Sequence, residues 1–183
     1  DHYQTLEAAL PDNPYHYHVR GRGRLGVALF SKLPFSQEPS VWYTDDQRFA
    51  TLTAEVQSST GRRLQVLVIH PPPPLTQDYA DMQQDMFDRL LETAEMTTEP
   101  FLVMGDFNST GWSPEFQQLL ASGVLIDSRD NQGVQPSWPA QLPKPLRISI
   151  DQMLTNSQLT TIKRVVLPDV GSDHLPILTD FVW

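Results

Sequence analysis

Four consecutive apolar residues, Phe101-Leu102-Val103-Met104, run into Gly105-Asp106-Phe107-Asn108 and then Ser109-Thr110. A short apolar run closed by a turn signal marks a core strand, and the rest of the chain has to be organised around it. The end of this strand is polar. A carboxylate and a carboxamide, one residue apart, stand at the sheet's edge where both can meet a ligand. Asp and Asn also start loops by bonding their own backbone. The remaining segments decide between the two.

The 183 residues, 39% hydrophobic and 19% charged, suffice for one sizeable core and predict a single domain spanning residues 1–183. No run reaches the length of a membrane span, and no signal-peptide pattern opens the chain. The first residue is Asp1 rather than Met, which reads as removal of something upstream. A net charge of -9 disfavours tight binding of nucleic acid through the whole surface, while a local basic rim could still touch a phosphodiester. The densest positive stretch, Arg20-Gly21-Arg22-Gly23-Arg24, reads as a solvated turn rather than such a rim. With no cysteine, disulfides and thiolate metal sites are excluded.

In chain order, Tyr3 to Leu10 suits a short helix stopped by Pro11. Tyr15 to Val19 alternates as a strand that puts His16 and His18 on one face; that spacing could bind a metal but reads as a solvated face. Gly26 to Phe30, Phe49 to Val56 and Arg62 to His70 read as strands, the last two joined by a hairpin at Ser58 to Gly61. Pro71 to Pro74 ends the ladder because proline has no amide donor. From Thr76 to Met96 the period becomes helical, with Tyr79, Met82, Met86, Leu90 and Ala94 as the stripe. Ser113-Pro114-Glu115 starts a further helix that Gly123 ends. Pro136 to Pro145 is a Pro-rich loop carrying Trp138, and strands follow at Ile148 to Leu154, Thr161 to Leu167 and Leu175 to Phe181. Strands outnumber helices and several are joined directly. That predicts an α/β fold of two packed β-sheets flanked by helices, rather than a doubly wound parallel sheet.

Four polar positions fall where strands meet turns: His70, Asp106 with Asn108, Asp151, and Asp173 with His174. A scaffold fixes such groups while the loop exposes them. The ordered motifs Gly105-Asp106-Phe107-Asn108, Ile150-Asp151-Gln152-Met153-Leu154 and Ser172-Asp173-His174-Leu175-Pro176 resemble the endonuclease/exonuclease/phosphatase family, whose fold is typified by deoxyribonuclease I. His70 before its prolines is similar to the family's strand-ending histidine, and Ser137-Trp138-Pro139 to the element that often precedes the Asp strand. The resemblance covers nearly the whole chain. It is closest in flavour to bacterial members with a membrane-anchoring segment ahead of the domain.

The resemblance implies a four-layer sandwich and metal-dependent hydrolysis of a phosphate ester, most readily a nuclease-type phosphodiester. Asp106 would orient or deprotonate the attacking water, and Asn108 would hold a phosphate oxygen and that water. His174 would stabilise charge on the scissile phosphate with Asp151 as its partner, and His70 would be a second phosphate-contacting imidazole. Asp173 would help hold Mg²⁺ or Mn²⁺. Carboxylate beside imidazole makes chemical sense, since it raises the imidazole's pKa and fixes its tautomer. One departure stands out: the family's metal glutamate and a preceding asparagine would lie upstream of Asp1, and Glu7 sits within a helix and does not take that role. The chain therefore reads as a domain lacking its N-terminal strands, with impaired catalysis. Any membrane association would run through segments upstream. The acidic chain leaves nucleic acid as one candidate partner among phosphate esters. A catalytically silent binding domain and a lipid or sugar-phosphate phosphoesterase are the alternatives. A serine hydrolase built on Ser172 and His174 is poor, because two residues so close on a turn cannot reach the needed geometry.

Overall fold

The structure, a computed structural model, describes residues 2–21 and 25–182. Arg22, Gly23 and Arg24 of the basic stretch lie outside the described residues. The chain forms two compact units, Asp1–His70 and Pro71–Trp183.

The first unit holds α1 (His2–Ala9), β1 (Tyr15–Val19), β2 (Val27–Ser31), β3 (Ser40–Tyr43), β4 (Ala50–Gln57) and β5 (Arg63–Val68). β1 and β2 pair antiparallel, Tyr15 opposite Ser31 and Val19 opposite Val27. β3, β4 and β5 form an antiparallel run, and β2 packs against β4 and β5. Val27 and Leu29 of β2 are buried, as are Leu52, Ala54, Val56, Val66 and Val68 of the facing strands. The hairpin between β4 and β5 closes where expected, because Gly61 takes a φ of +83° that other residues resist. β3 is an addition: after Pro39, four residues alone carry no readable period, and pairing with β4 is what makes them a strand. His16 and His18 do share a face, and it is half-buried rather than fully solvated. Tyr3 of α1 stacks on His18 at 3.8 Å between ring centroids and hydrogen-bonds His16 Nδ1. His70 follows β5 and is half-buried.

The second unit holds α2 (Gln77–Met96), β6 (Phe101–Asp106), α3 (Pro114–Ala121), β7 (Ile126–Asp127), a 3₁₀ turn at Lys144–Leu146, β8 (Asp151–Thr155), β9 (Thr160–Val166) and β10 (Ile177–Val182). β8 lies antiparallel between β6 and β7, with Leu102 opposite Thr155 and Asp106 opposite Asp151. β9 and β10 form a separate antiparallel pair. Thr76 caps α2 by accepting from the Tyr79 amide, and Ser113 caps α3, as the sequence predicts, by accepting from the Phe116 amide. The α2 stripe buries Met86, Phe87, Leu90 and Ala94, but its first buried member is Gln83 in place of Met82 or Tyr79. Phe107 sits between the rings of Phe87 and Phe116, each 5.8 Å away. This locks α2 and α3 onto the end of β6.

The strand expected from Ile148 begins three residues later, at Asp151. Ile148 instead forms a bridge with Trp138, its amide donating to the Trp138 carbonyl at 2.6 Å and its carbonyl accepting from Ser137 and Trp138. The Pro-rich loop is thereby folded back onto the start of β8. Among the described residues no helix is long and apolar enough to cross a membrane.

Candidate active site

β6 carries Asp106 at its last position, and the antiparallel register sets Asp151, the first residue of β8, directly opposite. Two carboxylates facing each other across a strand pair repel. The imidazole of His174 offsets this. Its Nδ1 lies 2.9 and 3.2 Å from the two Asp151 oxygens, and its Nε2 lies 3.7 Å from Asp106 Oδ2. The first is a hydrogen bond; the second is an ion pair too long to be one. His174 reaches this place from the turn before β10, where its amide donates to Ser172 Oγ at 3.2 Å.

The side chains of His174, Asp106 and Asp151 are 26%, 18% and 22% exposed, buried enough to strengthen their mutual attraction and open enough for a substrate to reach. The hydrogen bond that His174 Nδ1 donates to Asp151 raises the His174 pKa above its ordinary value, against the opposing effect of burial, with further support from the charges of Asp151, Asp106 and Asp173. Charged His174 is the form the folded site favours.

A pH dependence of stability follows. Because the folded pKa exceeds the unfolded one, about 6.5, this contribution is fully present below that pH and is lost as pH rises through the folded value. Between those two values the native state binds more protons, so stability falls with rising pH. His174→Gln removes that component, and urea unfolding at pH 6 and pH 9 is expected to show a smaller stability difference in the variant than in the wild type.

Asn108 is placed by three contacts. Its amide donates to Asp106 Oδ1 at 2.8 Å, its Nδ2 donates to the Pro71 carbonyl at 2.9 Å, and its own carbonyl accepts from Gln83 Nε2 at 3.4 Å. Its φ of +47° is left-handed, a region asparagine tolerates better than most side chains. Gln83 also donates to the carbonyls of Pro72 and Phe107, which explains a glutamine on the buried stripe of α2.

Asp106, Asn108, Asp151 and His174 are thus together in the second unit. His70 belongs to the first. Asp173 is exposed, and its carbonyl accepts from the Ala140 amide at 2.8 Å. Among the described residues no three His, Asp or Glu side chains are grouped so as to hold a metal ion. The Asp173 carboxylate does not by itself make a metal centre.

Other contributors were not assigned from the sequence. Ser137 Oγ donates to Asp151 Oδ2, the same oxygen that lies 2.9 Å from His174 Nδ1. Trp138 lies beside His174, ring centroids 6.3 Å apart. Buried Gln152 donates to the carbonyls of Ser109 and Ser149, tying the loop after β6 to the start of β8. Arg164 of β9, fully buried, donates to the Asp151 carbonyl at 2.8 Å. Its signal in the sequence was a charged residue interrupting a strand otherwise apolar on that parity, Ile162-Lys163-Arg164-Val165-Val166.

Comparison with solved structures shows the same fold in proteins of low identity. An endonuclease/exonuclease/phosphatase from Beutenbergia cavernae DSM 12333 matches with a TM-score of 0.79 at 18% identity, over 97% of this chain and 56% of that one. The chain thus spans little more than half the length of that relative. The mannosyl-6-phosphatase of Bacteroides thetaiotaomicron VPI-5482 gives 0.76 at 15% identity, over 98% of this chain and 80% of that one. TDP2 of D. rerio, complexed with single strand DNA product, gives 0.77 at 15% identity, over 100% and 82%. The fold is α/β and deoxyribonuclease-I-like, as the sequence motifs imply. Comparison with curated protein sequences gives no match. Residues 1–174 match the sequence profile of the Endonuclease/Exonuclease/phosphatase family, a span that ends on the imidazole between the two carboxylates, and the chain belongs to that family.

Proposed function

We propose that the protein hydrolyses a phosphate ester, most favourably a phosphodiester of the nuclease type, by in-line attack of water. The observation that carries this reading is His174 held between Asp106 and Asp151, the cross-strand pair at the ends of β6 and β8. In-line displacement needs a proton acceptor for the nucleophile and positive charge for the phosphoryl oxygens. Asp106 takes the proton of the water, whose oxygen forms the new P–O bond as the ester oxygen departs on the opposite side. The imidazolium, fixed at Nδ1 by Asp151, offers its Nε2 proton to a phosphoryl oxygen. The Asn108 carboxamide, one of whose protons is already on the Pro71 carbonyl, has a second to offer. His70 receives a phosphate contact from the family resemblance alone.

Charge balance supports a divalent cation, Mg²⁺ or Mn²⁺, as cofactor. Asp106, Asp151 and Asp173 bring three negative charges against one imidazolium, leaving a net -2 in front of an anionic substrate. Since the described donors do not assemble a site for the ion, no step above is routed through it. That same observation favours a second reading, a domain of this fold that binds a phosphate ester without turning it over.

Turnover separates the two. With bis(4-nitrophenyl) phosphate and added Mn²⁺ or Mg²⁺, release of nitrophenolate that a chelator abolishes is the expected result. Binding without turnover under any metal would leave only the second reading. Relatives that are a mannosyl-6-phosphatase and a protein crystallised with a DNA product make a sugar phosphate and single-stranded DNA the natural competing substrates in the same assay.

A further inference from the structure

We propose that Arg164 is a positioning residue for the reaction, acting through Asp151 on the orientation of His174. This rests on the reading of Asp151 and His174 as a catalytic pair. An arginine with 2% of its surface exposed is an unusual thing to bury in a strand. Among the described residues it makes no ion pair with a carboxylate, and burial, the largest influence, brings its pKa down to about 10. Burying a cation is costly even with the negative charges of Asp127 and Asp151 nearby, and a hydrophobic side chain of similar volume would fill the same space. Its hydrogen bonds show what it does instead.

Nη2 donates to the main-chain carbonyl of Asp151 at 2.8 Å and Nη1 donates to Gln135 Oε1 at 2.7 Å. Gln135 answers by donating its Nε2 to the Arg164 carbonyl at 2.6 Å, so the two residues clamp each other. Ser137, two positions after Gln135, is the residue whose hydroxyl holds Asp151 Oδ2. The Ser137 carbonyl in turn accepts from the amide of Leu175, the neighbour of His174, at 2.9 Å. One rigid fork therefore joins the main chain of Asp151 to the loop that carries its hydroxyl donor and braces the histidine turn. A lysine cannot span both acceptors with the same planar geometry. The carboxylate's aim at His174 depends on all of these anchors, and small losses of aim at a reacting centre are expensive.

The test uses Arg164→Met, which keeps bulk and removes the fork, with Arg164→Lys as the conservative variant. At one fixed pH, the low-field Nδ1–H resonance of His174 reports the bond to Asp151 directly, and amide exchange of Val103 in β6 reports the core. In Arg164→Met the Nδ1 proton is expected to exchange with solvent at least about tenfold faster while Val103 keeps its protection. On the phosphodiester, kcat is expected to fall about tenfold or more with KM within about twofold, and Arg164→Lys to recover part of both effects. An unchanged resonance and kcat would overturn the proposal. So would losses that track a parallel loss of Val103 protection, the mark of a purely structural role. Should Arg164→Met fail to fold, Gln135→Leu removes one arm of the clamp. It is expected to speed Nδ1 exchange about threefold, and no change there would also overturn the proposal. The resonance does not depend on turnover. If it responds as expected in a protein that hydrolyses no ester, the catalytic reading fails while the coupling of Arg164 to His174 stands.

Discussion

Asp106→Asn is expected to lower phosphodiester hydrolysis by about two to four orders of magnitude, the usual worth of a positioned general base. The carboxamide keeps an oxygen where Asp106 Oδ1 now accepts from the Asn108 amide, so the turn after β6 is preserved. What it loses is the ability to take a proton from water and the negative charge beside His174 Nε2. Removing one of two carboxylates that face each other across the β6–β8 pair also relieves repulsion, so the urea midpoint is expected to stay near that of the wild type. Steady-state rates at saturating substrate, paired with unfolding curves, check both halves. A rate within about threefold of the wild type would remove Asp106 from the mechanism.

Phe107→Ala is expected to be the most damaging change outside the polar site. Phe107 is fully buried between the rings of Phe87 and Phe116, and it stands between Asp106 and Asn108 in the chain. Truncating such a ring loses its transfer free energy and leaves a cavity, together about 3–5 kcal/mol. That is a large share of the total stability of about 5–15 kcal/mol that a protein of this kind has. The same loss removes the packing that seats α2 and α3 on the end of β6, so activity is expected to fall even in the fraction that remains folded. Urea unfolding monitored against Leu178→Ala gives the contrast. Leu178 is 46% exposed on β10, and its truncation is expected to cost no more than about 0.5 kcal/mol.

Periodicity and punctuation are local properties, and what they control was readable without coordinates. The apolar run ending at Gly105 gave away β6 and its polar terminus, the change to a helical period gave away α2, the Ser113 cap gave away the start of α3, and the order of the Asp-containing motifs gave away the family. Partnership is another matter. That Asp106 faces Asp151 follows from a register summed over five residue pairs of β6 and β8, and no single stretch encodes it. β3 and β7 are too short to carry a period, and exist because a neighbour supplies hydrogen bonds. Gln83 and Arg164 looked like surface residues by type. Their burial is tolerable only because carbonyls from segments distant in sequence, Phe107 and Asn108 for one and Asp151 for the other, come within reach after folding. The identities of the reacting groups were set in the chain. Their aim, and the raised basicity of His174 that comes with it, were decided by hydrogen bonds that exist only once strands, loop and turn have been brought together.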